Sequence, residues 1–159
     1  MSLSPNSLAF VALANEYCAA IENVSEARSA IGFVSQMTRL LPRLYIVASD
    51  LRPDASLQED DAYLDSYLGE DYYEEARGKI AMLLGEDDVY LEVFEEDMKY
   101  SDTPLSASVA ESLCDIFQVM YNFIPTVKDA PDYQVNAALR AVKTDFASFW
   151  SQRLVNVMR

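Results

Sequence analysis

The stretch "PDYQVNAALRAVKTDFASFWSQRLVNVMR", residues 131–159, decides the fold class. Its apolar side chains recur at Val135, Ala138/Leu139, Val142, Phe146, Phe149/Trp150, Leu154 and Val157/Met158. Steps of three and four residues put them on one stripe of a helix. Pro131 suits the first turn, where a missing N–H removes no helical bond. This is the cleanest pattern in the chain.

Working back from it, "TVKDA" links to a second long helix, expected to be capped by Asp102 or Thr103 with Pro104 in its first turn. Its stripe reads Leu105, Val109, Leu113, Ile116, Met120 and Phe123/Ile124, and Pro125 should end it. Near the start of the chain, Leu8, Val11, Ala14, Cys18 and Ile21 mark another helix. Asn23 with Glu26 resembles a capping box for the next, whose stripe runs Ala27, Ala30, Ile31, Val34, Met37, Leu41, Leu44 and Ala48. Pro42 falls inside that run and predicts a kink or break at residues 38–42.

After the loop "SDLRPDASLQ", "EDDAYLDSYLG" reads as a short helix with Tyr63/Tyr67 and Leu64/Leu68 pairs. "EDYYEEARGKIAMLLG" continues as a helix with a stripe of Tyr73, Ala76, Ile80 and Leu83/Leu84 and with Gly85 as its C-terminal stop. Val89, Tyr90, Val93 and Phe94 predict a short helical turn. With four glycines and six prolines, and no strand-like alternation or fixed-period repeat, the chain reads as all-α. The expectation is a single domain over residues 1–159, an antiparallel bundle of about six helices with an acidic lateral segment.

Charge is distributed unevenly. Residues 50–102 hold 18 acidic and four basic side chains, while the remainder holds eight of each, so the whole net charge of -14 lies in the middle third. Such a field disfavours direct contact with nucleic acid or an anionic membrane. No apolar run approaches the length of a membrane span, and "LAFVALA" has no positive region before it. Two cysteines 96 positions apart, each in a helical segment, fit reduced thiols in a cytoplasm.

The chain contains no histidine, which excludes the usual triads and imidazole-dependent metal sites, and no phosphate-binding glycine loop occurs. Carboxylates cluster at Asp60, Asp61 and Asp65, at Glu70, Asp71, Glu74 and Glu75, and within "GEDDVYLEVFEED" (85–97). No alternating calcium-loop pattern is present, so a solvated or partner-docking face is the favoured reading over a cation site. Six of ten tyrosines lie in the same segment; Tyr63, Tyr67, Tyr73 and Tyr90 are expected to face the core with hydroxyls at the rim. Cys18 and Cys114, without nearby cations, read as inert.

"LPRLYIVASDL", "YYEEARGKIAMLLGEDDVYLEVF", "SASVAESLCDIFQVMYNF" and "FASFWSQRLVNVMR" occur in an order that resembles the bacterial domain-of-unknown-function family numbered 5063. The resemblance implies an all-helical domain and carries no catalytic residue, cofactor or ligand. It also implies that Tyr90 and Phe94 anchor a structural corner. In such proteins an aromatic or histidine often precedes Trp-Gly, whereas Phe149-Trp150 is followed by Ser151 here, which favours a packing role for Trp150.

The reading that follows is a non-catalytic interaction module with no cofactor. Its docking surface would be Asp60, Asp61, Asp65, Glu86, Asp87, Asp88, Glu92, Glu95, Glu96 and Asp97, and its partner a basic protein. The alternative is a small-ligand or divalent-cation protein, or an enzyme, with a carboxylate/tyrosine pocket. A homodimer remains open, since a stripe does not distinguish a seam within one chain from one between two.

Overall fold

A computed structural model describes residues 3–27, 29–53, 64–91 and 106–158. The helices are α1 (Pro5–Glu22), α2 (Ala30–Ser49), α3 (Glu70–Leu84), α4 (Val109–Val127), α5 (Asp132–Asp145) and α6 (Ser151–Met158). A wide π turn, Phe146–Trp150, joins α5 to α6, so the described residues form five helical rods. Two strands, β1 (Val89–Leu91) and β2 (Ser106–Ser108), pair antiparallel with Tyr90 opposite Ala107.

The all-α expectation holds, and the long C-terminal rod carries the stripe read from the sequence. Val142, Phe146, Trp150 and Leu154 are all buried. Trp150 is fully enclosed against Phe10 and Phe146, and its indole N–H donates to the Val142 carbonyl at 3.1 Å. A packing role for this residue is therefore established. Phe149, paired with it in the sequence pattern, is 40% exposed, because the π turn at this point changes the helical register.

α4 is the central element. It packs against α1, α3, α5 and α6 and buries residues on almost every side, among them Leu113, Ile116, Phe117, Met120 and Phe123. It starts later than expected, at Val109 with Ser108 as its cap, and it runs past Pro125 to Val127. A proline in the last turn removes a single backbone bond, too little to stop the helix two residues early.

Four further expectations are corrected. α2 is capped by the Ser29 hydroxyl, which accepts from the Gly32 N–H, while Asn23 closes α1 and makes no side-chain cap. Of the kink or break expected at Pro42, the break does not occur, since α2 is continuous; the carbonyl that Pro42 leaves without a donor belongs to Thr38, whose exposed position gives it access to solvent. Residues 64–69 form no helix. Val89–Leu91 is a strand rather than a helical turn; three residues are too few for alternation to declare itself.

Two stripes hold in part. Ala14, Cys18 and Ile21 of α1 and Met37, Leu41, Leu44 and Ala48 of α2 are buried as expected, whereas Leu8, Ile31 and Val34 are exposed and Phe10, Tyr17 and Phe33 join the core. The C-terminal end of α2 has no basic residue in its last turn. The Lys143 ammonium from α5 supplies the cation, donating to the carbonyls of Ala48 (3.1 Å) and Ser49 (2.6 Å). Burial, with Arg52 nearby, holds its pKa below the ordinary lysine value.

Candidate functional site

The acidic flank is built on α3. Gly69 offers no side chain to cap this helix, and Glu70 and Asp71 stand in the first turn where the helix dipole favours negative charge. Ala76, Ile80 and Leu84 are buried along the predicted stripe, which leaves the carboxylates on the opposite face. Arg77 binds Glu74 at 2.7 Å and Lys79 binds Glu75 at 2.9 Å, so both cations of α3 are engaged within their own helix. Glu70, Asp71, Glu86 and Asp87 are exposed and make no ion pair among the described residues.

Two tyrosines fasten α3 to the bundle. Tyr72 stacks on Phe117 and Tyr121 and donates to Glu22 of α1 at 2.7 Å. Tyr73 donates to Asp115 of α4 at 2.7 Å, and the other oxygen of Asp115 lies 3.7 Å from Arg153 of α6. The hydrogen bond to Glu22, reinforced by burial, raises the Tyr72 pKa; burial first and then Asp115 raise that of Tyr73. Asp115 itself is pushed up by burial against the opposing pull of Tyr73 and Arg153. This three-helix network was missed in the sequence, where the only signal was one carboxylate interrupting the apolar surface of α4.

Gly85 leaves α3 with φ of 57°, a conformation suited to glycine, and a single 3-10 turn covers Gly85–Asp88. The opening of the acidic stretch then divides by role. Asp88 is half-buried and its carboxylate accepts from the Ala110 N–H and the Ser108 hydroxyl, both at 2.7 Å. It therefore caps α4 from outside, through space. Glu86 and Asp87, beside it in sequence, face solvent, as does Asp65. Asp60, Asp61, Glu92, Glu95, Glu96 and Asp97 lie outside the described residues, as do Tyr63, Phe94 and Tyr100.

Tyr73 and Tyr90 are half-buried with engaged hydroxyls, Tyr90 with Ser112 at 2.9 Å, whereas Tyr67 is 47% exposed. The backbone N–H groups of Tyr67 and Leu68 both donate to the Asn122 side chain, which holds this segment extended on α4. Both cysteines are buried free thiols, and burial pushes each pKa up to about 12. No group of three or more acidic or thiol side chains gathers in metal-binding proximity among the described residues. Nor, among them, is any helix long and apolar enough to cross a membrane.

Two concavities bear on the site. One, of about 260 Å³, lies between α2, the end of α3, α4 and α6, with Asp87 as its only charged lining residue among the described residues. The other, of about 490 Å³, lies beside Leu64 and Asn122; among the described residues Asp145 is its single carboxylate and no tyrosine lines it.

These features define an all-α bundle with a short β ribbon and an acidic flank. The chain belongs to the family described as a domain of unknown function, DUF5063, which it matches over residues 1–159. It is similar to the crystal structure of protein BF1032 from Bacteroides fragilis, with 29% sequence identity and a TM-score of 0.81 over 98% of this chain and 89% of that one. No functionally curated protein matches it.

Proposed function

We propose that this protein is a non-catalytic interaction module whose acidic flank docks a basic protein surface. One observation carries the reading: the net charge is confined to residues 50–102, and there the cations of α3 are already paired within the helix while Glu70, Asp71, Glu86 and Asp87 stand exposed. The field of these acids attracts a cationic partner and repels phosphate backbones and anionic lipid. Asp65 is likewise exposed, and the acids at 60, 61, 92, 95, 96 and 97 add to the negative charge of the same stretch of sequence.

Two buried free thiols support a reducing, cytoplasmic setting. The small-ligand alternative draws less support, since among the described residues the larger cleft is lined by one carboxylate, Asp145, and by no tyrosine. Capture from lysate at low and high salt tests the proposal. Partners that are retained at low salt and released as the Debye length shortens are expected; indifference to salt overturns it.

A further inference from the structure

The smaller concavity adds shape to this charge. Its floor comes from Phe33, Met37 and Leu41 of α2 and Leu113 of α4, and its mouth from Val34 and Met158. Val34 is 48% exposed and Met158 38%, and Ile31, one turn before Val34 on α2, is 82% exposed. Apolar surface thus continues from the groove onto the ridge of α2. Asp87, on the turn that follows α3, also lines the groove, with Glu86 next to it in sequence.

We propose that this groove receives an amphipathic basic segment of a partner protein. One large apolar side chain enters between α2, α4 and α6, and a lysine or arginine of the same segment meets Asp87. The inference rests on the docking reading above and names its anchor. Charge complementarity selects the occupant: a fatty acid or acidic peptide would bring like charge to Asp87, the one charged residue among the described residues of the lining. The volume of about 260 Å³ holds one or two large side chains, and the exposed ridge beside it favours a polypeptide laid along α2, the helix-in-groove mode.

The test uses the full chain and three fluorescein-labelled peptides of equal length: an amphipathic Leu/Lys helix, its Ser/Lys counterpart and its Leu/Glu counterpart. Anisotropy at low salt is expected to show Leu/Lys binding at least about tenfold tighter than Ser/Lys, as burial of one leucine requires, and Leu/Glu not binding. The double variant Val34→Ser/Met158→Ser should bring Leu/Lys to the Ser/Lys level without changing Ser/Lys. Should that variant fail to fold, Thr38→Trp, which blocks the mouth from an exposed position, makes the same comparison.

Equal affinity of the two lysine peptides, or a preference that survives blocking, overturns the groove while salt-sensitive Ser/Lys binding upholds the acidic surface. Binding of Leu/Glu as tight as Leu/Lys also overturns the inference, by removing its charge argument. If neither lysine peptide binds, the inference and the docking reading both fall.

Discussion

α3 and α4 are neighbours of similar length held by different forces. α4 buries ten residues, eight of them apolar, and is surrounded by four other helices, so its position follows chiefly from apolar area. α3 buries three, Ala76, Ile80 and Leu84, and its remaining fastenings are directional: Tyr72 to Glu22 and Tyr73 to Asp115. Such bonds are each worth only about 1 kcal/mol net. They have an advantage here, because they leave the outer face of α3 free of any packing duty. A helix fastened in this way can carry an acidic surface that the central helix could not tolerate.

The contrast can be broken at its strong end first. Trp150→Ala is expected to lose about 3–5 kcal/mol in urea unfolding, since it empties a fully buried site and removes the bond to Val142. A loss below about 1 kcal/mol would place the weight of the core elsewhere. Alkali acts next. Folded thiols with pKa of about 12 stay protonated where unfolded thiols, near 9.0, have lost their protons. Their stabilisation is therefore complete below pH 9 and lost as pH rises towards 12, at about 1.4 kcal/mol per pH unit for each thiol. Cys18→Ala/Cys114→Ala should flatten that part of the melting profile.

Within the acidic stretch the expected effects separate two consecutive residues. Asp88→Ala should cost about 1–3 kcal/mol by leaving the start of α4 without its acceptor, whereas Asp87→Ala should stay within about 0.5 kcal/mol. Equal values would erase the distinction between structural and surface acids. The polar fastening of α3 is the smallest test. Tyr73→Phe should cost about 1 kcal/mol, and hydrogen exchange should quicken in α3 before α4. Asp115 has a raised pKa, so its effect favours the fold below the ordinary carboxylate range and is lost as pH rises through the folded value. Asp115→Asn should remove that acid-side gain.

The sequence revealed the elements better than their phase. In α5 and α6 large residues are sparse enough that Val142, Phe146, Trp150 and Leu154 define a single face. α1 is apolar on nearly all sides, so Leu8 and Phe10 compete for the core on equal local terms, and only the neighbouring helices decide for Phe10. The ribbon was illegible because β2 reads Ser-Ala-Ser, with no apolar alternation to match β1. The acids of the flank were visible as charge, yet the role of Asp88 depends on an N–H group 22 residues away in sequence. No local pattern encodes that partner.

The chain has one tryptophan and ten tyrosines, six of which lie in the acidic middle third. Trp150 is wholly enclosed, while Tyr67, Tyr72, Tyr73 and Tyr90 stand on the flank. The indole thus reports on the core beside α1 and the C-terminal rod, away from the acidic flank. Selective excitation at the red edge watches the indole alone, so the opening of the core around Trp150 can be followed without attaching a dye.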